Sequence, residues 1–426
     1  MRPKLKYQPL KLQLRSISSS VTFTPLDPSK GQVPSKIGKL KVPLLKSPSH
    51  FGHFSSRVNR MYNEDKYSAN VLDINGRTVF NFNIFDGHGG DECSKYLSAH
   101  LSEDIESAEL DDERRDELVK KYVDNIGGYW KRWYRHRKDN FVRMVNSNNA
   151  LNLRSVECED DFGIRLPMSF LTCDYKFFET GEKSGSTCTS VLLDTIYSDP
   201  NKKFKPVYED YYFNRRTISK LTIGHVGDTK AILVDKNGEA HSLTTDHHPS
   251  NPIEASRLRK YAANFFMTDS FGEERFISLA NTRAFGDVNF KNMGVTAEPD
   301  ISQLIIGDTE TLHKKLTPQE ISDYTIGGNG GDESFLILCS DGVTNEITDQ
   351  EVADIVMNTF NMRGQNVTPQ LCSEEVIKFI EYIGGDDNAT CLVIRLNGWG
   401  KWNVKDRTGE LRQQRMEDSF RRGDDR

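Results

Sequence analysis

Five acid-bearing segments of this 426-residue chain share one form: a short apolar run with a carboxylate at one end. Phe80, Phe82 and Ile84 alternate along a strand-like run that stops at Asp86-Gly87-His88-Gly89-Gly90. The run Phe335 to Cys339 stops at Ser340-Asp341-Gly342, and Leu221 to Val226 stops at Gly227-Asp228. In the opposite sense, Asp386-Asp387-Asn388 precedes Ala389 to Ile394, and Glu64-Asp65 precedes Tyr67 to Ile74. A strand closing on Asp-Gly also occurs as a plain turn, so no single segment demands chemistry. Their repetition argues for it. If the fold gathers these ends, the carboxylates repel and cannot all stay ionised without cations between them. Hard, oxygen-liganded ions such as Mg²⁺ or Mn²⁺ suit that set. Zinc does not, since the chain has no Cys-x-x-Cys and no His-Glu-x-x-His. His88 adds a proton carrier with a free pKa near neutrality. Gly87 lets a bare carbonyl approach whatever Asp86 binds.

Periodicity shows the elements that must position these ends. Strands are predicted over 66–74 and 78–85, turned at Asn75-Gly76, a strong hairpin signal. Cys93, Leu97, Leu101 and Ile105 recur every fourth residue and predict a helix over 91–107. Further helices are predicted over 112–145, broken at Gly127-Gly128, and from Pro167 to Glu179. Trp130-Lys131-Arg132-Trp133-Tyr134-Arg135 interleaves rings with charges. Such a run either binds nucleic acid or an acidic partner, or packs its rings and leaves its charges in water; the second is commoner. A strand follows from Gly185 to Leu193, and the polar, lysine-rich stretch 198–216 reads as a surface insertion. Ile218 to Val234 and Ala240 to Leu243 read as a meander, and Asp246-His247-His248-Pro249 as the entry to a helix from Ile253 to Ala262. Phe276 to Ala280 is strand-like, 302–333 is a mixed insertion with a flexible Gly327 to Gly331, and helices follow near 349–360 and 372–383.

Composition sets the bounds. The formal charge is −6, and no apolar run reaches the roughly eighteen residues of a membrane span. Seven cysteines without paired spacing read as reduced core thiols. Asp27 is the only acid among the first 63 residues, and Leu10, Leu14, Ile17 and Val21 follow helical spacing beside Lys11 and Arg15. An Arg-containing, Ser-rich, acid-poor amphipathic start describes a mitochondrial transit peptide, assigned to 1–24; a disordered basic tail is the other reading. Prolines make 25–50 an extended leader, 51–398 the globular domain, and 399–426 a charged, frayed tail. An acidic mature surface speaks against nucleic-acid binding.

Taken in order, the landmarks are Arg60-x-x-Asn63-Glu64-Asp65, Phe85-Asp86-Gly87-His88-Gly89-Gly90 and Gly185-Ser186-Thr187. Gly227-Asp228-Thr229-Lys230-Ala231, Thr245-Asp246-His247-x-Pro249, Arg283-Ala284-Phe285-Gly286-Asp287, Cys339-Ser340-Asp341-Gly342 and Asp387-Asn388 complete the series. It resembles the metal-dependent type 2C serine/threonine protein phosphatases, fungal mitochondrial members included. That resemblance implies an α+β fold, a four-layer α-β-β-α sandwich of two antiparallel sheets flanked by helices. It implies hydrolysis of phosphoserine and phosphothreonine on proteins by water activated between two Mg²⁺ or Mn²⁺ ions. Asp86 would bridge the ions, the Gly87 carbonyl would bind one, and Asp341, Asp387 and Glu64 would serve the other. Asp228, with Asp341, matches a weaker third position. Asp65 and Asn388 would support the ligands, Arg60 would clamp the substrate phosphate, and His88 would protonate the leaving oxygen. Asp246-His247, Ser186 and Thr187 are assigned to structure. Val343-Thr344-Asn345 stands where the family commonly has Leu-Trp-Asp, which alters packing beside Asp341. Phosphoproteins, such as a mitochondrial dehydrogenase complex, are the implied partners. A catalytically silent scaffold and a different binuclear phosphoesterase are the competing readings.

Overall fold

A computed structural model describes residues 20–23, 38–41, 50–133, 135, 151–158, 160–198, 211–262, 266–268, 272, 274–328, 330–364, 366–402 and 406–424. Two five-stranded sheets carry the fold, and every pairing in them is antiparallel. One runs Ala240–Ser242, Lys230–Val234, Phe335–Cys339, Ala389–Arg395, Phe51–Ser56 in spatial order. The other runs Asp300–Gly307, Thr217–Val226, Cys188–Ser198, Arg77–Phe85, Lys66–Ile74. Alternation decides which face each side chain takes. Leu336 and Leu338 point into the space between the sheets, where they meet Phe82, Ile84, Val191, Ile223 and Leu392. Ile337 and Cys339 point the other way, into a core with the helices Asp349–Arg363 and Pro369–Ile383. On the far side, Val79, Leu192 and Val226 pack against the helices Glu92–Glu106 and Phe162–Thr180. This is the expected α-β-β-α order.

The Asn75-Gly76 turn forms as predicted, with both residues at positive φ (53° and 75°), the backbone a two-residue hairpin requires. The seven cysteines are free, and six are fully buried. Trp130 and Trp133 are buried while Lys131, Arg132 and Arg135 are exposed, so the aromatic-basic run packs its rings. Residues 136–145, the end of that predicted helix, lie outside the described residues.

Several expectations need correction. Thr217–Val226 and Lys230–Val234 are not one meander: the chain changes sheet between them, at Gly227 (φ +100°), and the apolar pattern of either strand fits both sheets. The helix expected from Pro167 starts at Phe162 and holds Pro167 inside, its first turns fixed by Arg165 pairing with Asp161. Only Glu274–Phe276 is a strand where 276–280 was expected. The 302–333 segment opens as the edge strand Asp300–Gly307 and continues as two short helices, Thr309–Lys315 and Pro318–Tyr324. A reciprocal Thr317/Glu320 cap starts the second, and Glu320 also accepts from Arg154 and Ser155. Within Gly327 to Gly331, the Gly330 and Gly331 amides donate to Thr325 and Glu333.

The described part of the charged C-terminal segment is not frayed. Trp399 and Trp402 pack on Phe335 and Phe360, and the helix Gly409–Asp424 is held by Arg415 on Glu351 and by Asp354 accepting from Thr408. At the other end, residues 1–19 and most of the leader lie outside the described residues, while Ser20–Phe23 pairs antiparallel with Gly38–Lys41. Val21 is therefore in a strand.

Residues 199–210 of the lysine-rich stretch are likewise outside the described residues, and its end is exposed at Arg215 and Arg216 but buried at Tyr212. Tyr212 is 1% exposed in the core between the sheets, edge-on to Phe80 at 5.2 Å. Among the described residues its hydroxyl has no hydrogen-bond partner. Tyr212→Phe should therefore leave stability unchanged or slightly raised, whereas Tyr212→Ala should cost about 3–5 kcal/mol, as large-to-small aromatic core changes do. Urea denaturation of the two variants checks this.

Candidate metal centre

Three strand ends meet at one end of the sandwich. Asp86 follows Arg77–Phe85, Asp228 follows Thr217–Val226, and Asp341 follows Phe335–Cys339. One carboxylate oxygen from each lies within 4.8 Å of the others. Burial, then the charges of Asp341, Asp65 and Asp228, hold the Asp86 carboxyl well above its usual range. Burial and Asp341 push Asp228 up to about 7, and burial also raises Asp341. Acids so placed share protons unless a cation replaces them. An all-oxygen donor set of this charge fits Mg²⁺ or Mn²⁺. Among the described residues Asp235, Glu239 and His241 also come within 4.8 Å of one another, but there Asp235 caps its own turn and Glu239 is exposed.

The other predicted residues surround this trio. Asp65 is buried beneath it, and its Oδ2 accepts from Ser340 Oγ at 2.8 Å and Thr390 Oγ1 at 2.7 Å. Burial pushes its carboxyl up to about 7. Asn388 Oδ1 accepts from the Glu64 amide at 2.8 Å, while Glu64 Oε1 accepts from Gly90 N at 2.8 Å. Gly342 makes the contact with the last strand possible, since a Cβ there would lie 2.0 Å from the Asn388 carbonyl oxygen. Asp387 and Glu64 fall outside the close trio. Asp387 takes the Arg60 guanidinium at 2.9 Å in a half-exposed pair, and Arg60 Nε also donates to the Asp386 carbonyl. Gly87 leaves no room for a side chain, which would meet the Glu64 carbonyl oxygen at 2.5 Å.

His88 lies on a small three-stranded sheet, ordered Phe285–Gly286, Gly185–Ser186, Gly87–His88. Its Nε2 is 2.8 Å from Asp287 Oδ2. A Cβ on Gly185 would sit 2.2 Å from that nitrogen, so only glycine fits there. Burial opposes a charge on His88, but the hydrogen bond and charge of Asp287 outweigh it and raise the imidazole pKa. Asp287 was present in the sequence series without a role; nothing in the sequence paired it with His88. His247 does what was assigned to it: buried, it accepts from the Gly227 amide at 3.0 Å. Asn281, which donates to Asp228 Oδ2 at 2.8 Å, had no sequence signal. Ser186 and Thr187 are buried, as support residues should be.

A protein phosphatase 2C domain matches residues 145–313 and 320–389. Protein phosphatase 2C homolog 4 of Schizosaccharomyces pombe is 33% identical over 392 residues, covering 89% of this chain and 88% of its own length. The chain belongs to the protein phosphatase 2C family. It is a metal-dependent protein serine/threonine phosphatase. The mitochondrial protein phosphatase 1K of Xenopus laevis is 24% identical over 367 residues, with 86% of this chain and 72% of that protein covered. Among solved structures, a Toxoplasma gondii phosphatase superposes with a TM-score of 0.52 at 17% identity, over 82% of this chain and 94% of that one. A Caenorhabditis elegans sex determining protein gives 0.50 at 18% identity, over 86% and 67%. Both share the fold of this chain.

The raised carboxyls predict a pH dependence for this phosphatase without metal. Asp65 and Asp228 keep their protons up to about pH 7 when folded and lose them near pH 3.9 when unfolded. The folded state therefore binds more protons between those limits, and stability falls as pH rises through them. In chelator, Tm should drop from about pH 5 to about pH 8, and added Mg²⁺ should raise it more at the higher pH. Calorimetric scans with and without Mg²⁺ check the sign.

Proposed function

We propose that this phosphatase hydrolyses phosphoserine and phosphothreonine on mitochondrial proteins, at a binuclear Mg²⁺ or Mn²⁺ site. The observation that carries the reading is the convergence of Asp86, Asp228 and Asp341, half-buried carboxylates from different strand ends, within 4.8 Å. Asp86, the Gly87 carbonyl, Asp341, Asp387 and Glu64 would hold the two ions, and Asp228 with Asp341 a third, weaker one. Bound there, such ions supply a hydrolytic nucleophile near neutral pH and neutralise charge on the phosphate. Asp65 supports the ligands by tying Ser340 and Thr390, each beside a proposed ligand strand end, to one carboxyl oxygen. Asn388 does the same for Glu64.

Arg60 would bind the substrate phosphate. Its guanidinium already faces one anion, Asp387, at the exposed rim, and a planar donor pair can engage two phosphate oxygens. His88 would hold a proton on its imidazole and deliver it to the departing serine or threonine oxygen, whose own pKa is too high for unaided departure. Asp287 keeps that ring oriented and favours its charged form.

The organelle is supported by the acid-poor, amphipathic beginning of the chain and by the mitochondrial designation of the Xenopus laevis relative. A phosphorylated dehydrogenase complex of that compartment is one candidate substrate among its phosphoproteins. Capture of phosphoproteins from isolated organelles on an Asp341→Asn variant tests this.

Mn²⁺-dependent release of phosphate from a phosphothreonine peptide, lost in chelator, should characterise the wild-type protein. Asp86→Ala should lower kcat by more than about a hundredfold while the metal-free protein stays folded, because a central ligand is gone. Near-normal, metal-stimulated turnover in that variant would refute the assignment. Arg60→Ala should raise KM about ten- to a hundredfold, the loss expected for one charged hydrogen-bonding partner. An unaltered KM would remove Arg60 from the phosphate site.

A further inference from the structure

Asn281 stands beside the acid trio without belonging to it. It is 8% exposed, and its Nδ2 donates to Asp228 Oδ2 at 2.8 Å. Its own Oδ1 is buried and has no partner among the described residues. A buried acceptor left in that state costs about 1–3 kcal/mol unless something donates to it. The arrangement is not an accident of a loose loop. His247 Nδ1 accepts from the Gly227 amide at 3.0 Å, and His247 N donates back to the Gly227 carbonyl at 2.8 Å. The Thr282 amide donates to the His247 carbonyl at 2.9 Å, with the Thr282 hydroxyl on the same oxygen at 2.9 Å. Asp228 and Asn281 are thus each next in chain to a residue pinned on one imidazole-bearing residue, itself 1% exposed. Their contact is built by the backbone, not found by the side chains.

We propose that Asn281 is a positioning residue for a divalent cation held by Asp228. Its amide fixes Asp228 Oδ2 and leaves the other oxygen of that carboxylate for the ion. Its free Oδ1 accepts a hydrogen bond from a water that the hydrated ion brings, since Mg²⁺ and Mn²⁺ keep several of their waters. A neutral amide is suited to this place: it orders the carboxylate without adding a fourth negative charge to the trio. The inference rests on the reading of Asp228 as a cation ligand.

Mn²⁺ binding to the full-length protein, followed by electron paramagnetic resonance of the free ion and by calorimetry, separates the two claims. Asp228→Asn defines which Mn²⁺ equivalents depend on that carboxylate. Asn281→Ala and Asn281→Leu should weaken the same equivalents about ten- to a hundredfold, the effect typical of a group that orders a metal ligand, and leave the remainder within twofold. Leucine fills the volume that alanine leaves empty, so agreement between the two assigns the loss to the amide. Cooperative thermal unfolding in chelator shows that each variant is folded. If both variants bind Mn²⁺ like the wild type, or weaken all equivalents alike, Asn281 does not position Asp228. If Asp228→Asn itself leaves Mn²⁺ binding unaltered, Asp228 is not a ligand, and this inference falls with that reading.

Discussion

Mutual repulsion among Asp86, Asp228 and Asp341 is the constraint to which the rest of the molecule responds. The first two belong to strands of one sheet and the third to a strand of the other, so their repulsion acts across the sandwich. Apolar packing between the sheets opposes it, through residues such as Phe82, Ile84, Leu336 and Leu338. A second brace lies just below the acids. Asp65 leads into the strand Lys66–Ile74 of one sheet, and its Oδ2 accepts from Ser340 and Thr390 of the other. Because burial raises its carboxyl to about 7, this cross-tie adds less charge to the crowded site than an ordinary carboxylate would. Cations at the trio would complete what packing and Asp65 begin, joining the sheets through the groups that otherwise drive them apart.

Most of this centre was legible because it depends on local grammar. Strands such as Arg77–Phe85 announce themselves by alternation, and the glycines after them mark where backbone must turn or approach closely. The acids at their ends needed only the assumption of convergence. Other features depend on pairings that no local pattern encodes. Lys230–Val234 is as apolar as a strand of either sheet, and only the crossover at Gly227 settles its place. The 409–424 helix looks like a solvated tail because half of its residues are charged; Glu351 and Asp354, far away in the chain, hold it in place. Tyr212 was hidden in a lysine-rich stretch whose average polarity outweighed its aromatic end. Asp287 and Asn281 are of the same kind: common polar residues whose meaning comes from a partner in another segment.

The polar groups behind the centre form a continuous support. Glu254, 1% exposed, pairs with Arg257 and Arg283; Arg283 also reaches Asp300, and Asp300 Oδ2 lies 3.0 Å from His247 Nε2. Glu254 is held ionised, its pKa depressed by the two guanidiniums despite its burial. Buried ion pairs of this sort add little net stability compared with apolar residues of equal volume, because desolvation offsets the attraction. Their value here is directional. A leucine cluster could fill the same space, yet it would not fix the backbone of Thr282 against the His247 carbonyl or hold the imidazole with Nδ1 toward the Gly227 amide.

That directionality separates the surroundings of Asp228 from those of Asp387. Asp228 is set by a chain of hydrogen bonds running through His247 to Asp300, Arg283 and Glu254, and nothing in that chain is solvent-facing except Asp300. Asp387 instead shares the exposed rim with Arg60, at side-chain exposures of 39% and 56%. In the role proposed for Arg60, a group that meets a phosphate arriving from solvent has to exchange partners, and a half-exposed ion pair, worth little in high dielectric, permits that exchange. A carboxylate that must hold its geometry against like charges has the opposite need. The same end of the sandwich therefore carries a rigid wall and an adaptable rim, and the division follows from which groups face water.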